Sequence, residues 1–314
     1  MKKEIKFSLV YRDMWQSSGK YVPRKDQLEQ IAPIIIKMGC FDRVESNGGA
    51  AEQVNLLYGE NPNHSVRAFT AALHKGGIEC HMLDRALNAW ANEAGMISQA
   101  AMSITYSPVH TAEYYINMAE QLIQAGAKEI ALKDMAGVGR PFSLGKVVAA
   151  IKKQHPEIKV QYHGHTGPGL SMASMLEVAQ AGADYLDVAM EPLSWGMVHP
   201  DVISVQAMLK DAGFLVKDID MNAYMEARAM TQSFIDDFLG YWIDPRNRYL
   251  NSLMLGCGLP GGMMGSLMAD LKGVHAAINM NLKNKGEKEL SEDELLVQLF
   301  DEVQNIWPKL GYPP

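Results

Sequence analysis

A chain of 314 residues with 47% hydrophobic content can bury a large core, either as one large domain or as a domain with an accessory region. Its 29 basic and 36 acidic residues leave a net charge of −7 and no lysine or arginine block, which opposes phosphate backbones and argues against a nucleic-acid partner. Cys40, Cys80 and Cys257 fit neither a disulfide framework nor a structural zinc cluster, the basic N-terminus meets charge too early for a signal peptide, and no apolar run reaches about 18 residues. The expectation is a reduced, cytoplasmic globular protein that does not itself enter a membrane. The 21 methionines read as flexible core filler.

Short β-branched or apolar runs alternate with longer helical stretches, the pattern of βα units on a parallel sheet. In chain order the predicted strands are 5–10, 42–46, 78–83, 97–106, 129–134, 159–163 and 185–190. Two similar stretches, "QAGAKEIALKD" from Gln124 and "QAGADYLDVAM" from Gln180, each read as a helix end, a glycine C-cap and a strand. Glycines precede strands at Gly39, Gly77, Gly95, Gly126 and Gly182, with Pro156 and Glu157 ahead of another, at fairly regular intervals save one. From Gly77 to Gly95 only about a dozen residues separate the strands, the minimum for a parallel crossover. The expectation is therefore an α/β chain folded as a (β/α)8 TIM barrel over residues 1–215 that lacks its fourth βα unit. After it comes a helical accessory region over 216–314, read from "NAYMEARAMTQSFIDDFLGYW", "LGCGLPGGMMGSLMADL" and "SEDELLVQLFDEVQNIW". Its Met-rich apolar helices suggest a homodimer, and helices buried inside one subunit would read identically.

The candidate chemistry starts from "QYHGHTGPG" at 161–169. Residues two apart on a strand share a face, so His163 and His165 can converge on one ion at the C-terminal end of a strand, where barrels place their sites. "LVYRD", with Arg12 and Asp13, and "IALKD", with Lys133 and Asp134, end other strands at the same rim. A carboxylate and two imidazoles make a borderline site for Zn2+, Mn2+ or Co2+, with positions left for water and substrate. Asp134 reads as a structural partner that orients Lys133. "MLDR" brings Arg85, whose planar fork suits a carboxylate, and "SNGGA" brings Gly48 and Gly49, which permit close backbone approach to a ligand. The plainer alternatives are a surface pair of Arg85 with Asp84 and an ordinary tight loop. Nucleotide motifs fail: "GVGRPFSLGKV" misses Walker spacing, no GxGxxG follows the first strand, and no GxSxG elbow occurs.

With these residues assembled, the chain resembles the carboxyltransferase component of biotin-dependent enzymes: the B subunit of pyruvate carboxylase, the oxaloacetate decarboxylase α subunit and the transcarboxylase 5S subunit. The stretches that carry the resemblance are "YRDMWQS", "HMLDRALN", "ITYSPVHTAEYY", "IALKDMAG", "QYHGHTGPGLSMA", "DVAMEPLSWG" and "LPGGMMGSL". The resemblance implies a barrel followed by a helical funnel, and a divalent metal held by Asp13, His163, His165 and Lys133, the lysine being carbamylated. It further implies that Arg85 and Gln16 contact the reacting acid or biotin, and that Lys133 is catalytic as well as a ligand. The reaction implied is carboxyl transfer between biotin and pyruvate or oxaloacetate. The chain departs from the family in lacking the unit after the arginine strand, and it has no "AMKM" biotinylation sequence, so biotin would arrive on a separate carrier domain or subunit. A membrane-bound partner subunit stays open. Two other readings stay open beside this one: an acyl-CoA lyase or Claisen-type synthase of the related metal-dependent barrels, and a non-catalytic scaffold that docks a biotin carrier.

Overall fold

The structure is a computed structural model and describes residues 3–19, 23–49, 53–82, 88–237, 243, 252, 255 and 261–313. In chain order it begins β1 (Lys6–Leu9), α1 (Tyr11–Gly19), α2 (Lys25–Met38), β2 (Phe41–Asn47), α3 (Gln53–Tyr58), α4 (Pro62–Lys75) and β3 (Glu79–Met82). It continues with α5 (Asn88–Glu93), β4 (Gln99–Ser103), α6 (Ala112–Gln124), β5 (Glu129–Asp134), α7 (Pro141–Gln154), β6 (Lys159–Gly164), α8 (Ser171–Ala181), β7 (Tyr185–Val188) and α9 (Val202–Asp211). Then come α10 (Met221–Asp237), α11 (Gly261–Asn284) and α12 (Glu292–Ile306).

All seven strands pair in parallel in the order β3-β2-β1-β7-β6-β5-β4. β1 pairing with β7 closes the curl on one side, and β3 and β4 are left as its two edges, which is where the sequence lacks its fourth unit. The only regular element described between those edges is α5. Glycines end the helices as the pattern implied: Gly39 takes a left-handed φ of +71° and donates from its N–H to the Ile36 carbonyl.

One residue of every strand pair turns outward and the next inward. The outward set, such as Phe7, Leu9, Ile130, Leu132, Val160 and Leu186, forms one buried apolar cluster with the covering helices. The inward set is polar. Arg43 of β2 donates from Nη1 and Nη2 to the two carboxylate oxygens of Glu129 on β5, each at 2.8 Å, and from Nη1 to Gln161 Oε1 of β6 at 3.1 Å. Its Nε donates to Glu79 Oε2 of β3 at 2.7 Å, and its guanidinium lies 3.7 Å from the centre of the Tyr185 ring on β7. Gln99 of β4 donates to Glu129 Oε2 at 3.1 Å and to Gln161 Oε1 at 3.0 Å. The side chains Glu79, Arg43, Glu129 and Gln99 therefore join β3 to β4 across the seam that no backbone pairing closes.

α10 packs on α2, and its Ala223, Tyr224, Ala227, Phe234 and Ile235 belong to the main core. α11 contacts α1 and α12, and Met197, Leu271, Leu296 and Phe300 form a second, smaller apolar cluster. Among the described residues no helix is long and apolar enough to cross a membrane. Arg12 and Asp13, expected at the end of the first strand, instead lie in the first turn of α1, because the chain turns helical at Tyr11 directly after Val10.

Burial raises both described cysteine thiols, Cys40 up to about 12 and Cys80 up to about 11. A raised thiol pKa leaves the unreactive S–H form at pH 8, so neither should be alkylated by iodoacetamide in the native protein, and both should react on unfolding. Peptide mapping by mass spectrometry checks this, and rapid native labelling of Cys40 would contradict its burial.

Candidate metal centre

Asp13 enters the site from the first turn of α1, where a carboxylate is favoured by the helix N-terminus. Its Oδ1 accepts from Arg12 Nη1 at 3.0 Å and its Oδ2 from Ser17 Oγ at 3.2 Å. Arg12 is in turn engaged with Gln16 Oε1 and Glu45 Oε1, and Glu45 Oε2 accepts from the Asp13 backbone N–H at 3.2 Å. Burial opposes ionisation, yet the Arg12 guanidinium beside it holds the Asp13 carboxyl well below the usual carboxylate range.

His163 lies on β6 and His165 one residue beyond its end, with the same facing that the spacing implied. His165 Nε2 stands 3.2 Å and His163 Nε2 4.0 Å from Asp13 Oδ2. A third imidazole joins them: His199 Nε2 stands 3.3 Å from the same oxygen. The ligand atoms of Asp13, His163, His165 and His199 all lie within 4.8 Å of one another, and all four residues are buried. Burial first, then Lys133, pushes the His163 pKa well below the ordinary imidazole value; burial, then His165 and His163, does the same for His199. Both are thereby held in the neutral form a metal requires.

The outer nitrogens of the strand histidines decide whether a cation fits. His163 Nδ1 lies 2.7 Å from Asp187 Oδ2, and His165 Nδ1 lies 2.8 Å from the Met197 carbonyl oxygen. Both partners are acceptors, so each Nδ1 carries the proton and each Nε2 presents a lone pair. In the neutral rings those lone pairs face the Asp13 carboxylate oxygen, an arrangement that a cation among them would stabilise. Tied outer nitrogens around a buried carboxylate are the mark of a metal site with its supporting shell in place.

Lys133, at the end of β5, has Nζ 3.3 Å from His163 Nε2 and is buried; burial lowers its pKa, against the pull of Asp13 and Glu45. Asp134 does not orient it. Its carboxylate points away and accepts from the Val138 and Gly139 N–H groups, each at 2.9 Å, and from the Tyr162 hydroxyl at 3.2 Å. This caps the turn of "KDMAG", in which Gly137 has φ +68° and a Cβ would run into the His165 carbonyl. The motif thus locks the lysine strand to the histidine strand.

Gly48 approaches closely, but to Arg12: a Cβ there would meet the Arg12 Nε at 2.7 Å. Gly49 is exposed with open space around it. Gln16 is at the site through Arg12. Arg85 lies outside the described residues. His199 escaped sequence reasoning because nothing periodic marks it. It sits in the loop after β7, which folds back onto β6's extension through Thr166 N–H to Val198 O at 2.7 Å and Gly167 N–H to Gly196 O at 2.9 Å. Its only sequence signal is a polar residue before Pro200 in a loop at the rim.

The HMGL-like family model matches residues 65–229, just over half of the chain. The B subunit of the pyruvate carboxylase of Methanothermobacter thermautotrophicus is 27% identical over 278 residues, covering 82% of this chain and 45% of that protein. The methylmalonyl-CoA carboxyltransferase 5S subunit of Propionibacterium freudenreichii subsp. shermanii is 27% identical over 227 residues, covering 72% of this chain and 41% of that protein. The chain therefore spans less than half the length of these relatives. In fold it is similar to the carboxyl transferase domain of Rhizobium etli pyruvate carboxylase solved with pyruvate, with a TM-score of 0.73 at 20% identity over 87% of this chain and 54% of that one. The family match, the relatives and the shared half-barrel agree with one another, and the chain belongs to the HMGL-like family.

Proposed function

We propose that this chain is the carboxyltransferase part of a biotin-dependent enzyme and exchanges a carboxyl group between biotin and pyruvate or oxaloacetate. The observation that carries the reading is the convergence of Asp13, His163 and His165, with the outer imidazole nitrogens tied to acceptors. These three would hold the divalent cation, of the Zn2+, Mn2+ or Co2+ class. When bound, such an ion supplies a positive charge where the keto oxygen gains negative charge as the carboxyl group leaves.

The side chains around it have separable tasks. Gln16 gives its amide oxygen to Arg12, which leaves its Nε2 as a donor for the keto side of the substrate. Arg85 would grip the substrate carboxylate by its fork. Lys133 holds its proton weakly because it is buried, and its neutral amine is the form that can take up CO2 as a carbamate. Met197, whose carbonyl holds His165 Nδ1, belongs to a small apolar cluster with Leu271, Leu296 and Phe300, which would offer apolar cover beside the rim. Biotin would be delivered by a carrier domain or separate subunit. Exposed Met225, Met280 and Val297 on α10, α11 and α12 support a second copy of the chain as a further partner.

The test is pyruvate release from oxaloacetate by metal-loaded protein, with and without free biotin. Biotin-stimulated release is expected, and Lys133→Ala should lower it by about a hundredfold or more. Turnover that depends on an acyl-CoA instead would assign the chain to the lyase and synthase group. A metal-loaded protein with no turnover of either kind would leave a scaffold that docks a biotin carrier.

A further inference from the structure

We propose that His199 is a ligand of the divalent cation, completing a set of Asp13, His163, His165 and His199, so that holding the ion does not require Lys133 to become a carbamate. The inference rests on the reading above that Asp13, His163 and His165 grip a cation, and it deepens that reading by naming the fourth protein ligand.

Ligand atoms bound at 2.0–2.1 Å on a tetrahedron stand about 3.3 Å apart. His165 Nε2 and His199 Nε2 stand 3.2 Å and 3.3 Å from Asp13 Oδ2 and His163 Nε2 stands 4.0 Å from it, and since all four ligand atoms lie within 4.8 Å of one another, a modest contraction of the set would bring them to that spacing. Lys133 reaches the group from one side, through His163 Nε2.

His199 is also held in place. It is fully buried, its ring centre lies 4.3 Å from those of both His163 and His165, and its carbonyl accepts from the Trp195 N–H at 2.8 Å. The ring cannot leave without vacating packed space. Its Nδ1 has no hydrogen-bond partner among the described residues, so the loop backbone and ring packing, rather than an outer hydrogen bond, aim its Nε2.

Charge favours the same set. One carboxylate and three neutral imidazoles leave a divalent ion with a net single positive charge, which complements an anionic keto acid.

The experiment strips the full chain of metal with a chelator and titrates Zn2+ alone against a competing chromophoric chelator, in CO2-free buffer and again with added bicarbonate. Wild type should bind one Zn2+ equally in both buffers. Lys133→Ala should keep that affinity within about threefold. His199→Ala and His199→Gln should each weaken it by about a hundredfold or more. The inference is overturned if the His199 variants bind as wild type does, or if binding needs bicarbonate and is lost in Lys133→Ala. Wild type that takes up no Zn2+ in either buffer would instead remove the metal reading itself. Should both His199 variants fail to fold, the visible spectrum of the Co2+ form decides: the same four-coordinate bands in wild type and Lys133→Ala support the inference, and a change on losing the lysine refutes it.

Discussion

Asp13→Asn should release the metal and cut oxaloacetate turnover by at least about a thousandfold while the protein stays folded. Asparagine keeps the shape of the side chain: its amide oxygen can still accept from Arg12 and its NH2 can donate to the Ser17 hydroxyl, but the negative charge is gone. Three imidazoles face Asp13 Oδ2, at 3.2, 3.3 and 4.0 Å, and it is the single anionic atom common to all of them. Without it, three neutral nitrogens alone must offset the desolvation of a dication beside the Arg12 guanidinium. Metal content by mass spectrometry, turnover and a melting curve on the same sample separate the outcomes. A variant that keeps one bound metal and more than about a tenth of the wild-type rate would remove Asp13 from the centre of the chemistry.

Arg43→Met should cost about 3–5 kcal/mol of stability, more than an ordinary buried substitution, because it strands a buried charge. Glu129 has a side chain only 4% exposed and receives both Nη atoms of Arg43 in a fork, the geometry that makes such pairs strong. Removing the guanidinium also strips Tyr185 of a cation above its ring and frees Glu79 on β3. The melting temperature should fall by on the order of 10 °C. In the double variant with Glu129→Met much of the loss should return, since replacing both members of a buried pair by apolar groups is far milder than removing one. Full additivity of the two losses would show that the pair does not hold the seam. The stake is particular to this fold: β3 and β4 share no backbone ladder, so a side-chain chain does the closing that an eighth strand does in a complete barrel.

Much of this architecture was legible in the residues because parallel strands buried on both sides, helices on their outer face and glycine C-caps all leave local patterns. The seven strands, the missing fourth unit and the pairing of His163 with His165 follow from period, spacing and order along the chain. Asp13 and Lys133 were legible as rim residues because each ends an apolar run. The polar barrel interior was not: Arg43, Glu129 and Gln161 are far apart in sequence, and only the sheet register sets them in one layer. Asp134 looked like a partner for its neighbour Lys133, but alternation on a strand sends adjacent side chains to opposite faces, and it caps the following turn instead. Gly48 looked like room for a ligand, and the fold fills that room with Arg12. His199 is the clearest case. A loop carries no period from which a facing can be read, and where its side chain lands depends on two backbone hydrogen bonds to the segment after β6 that form only once the sheet has curled.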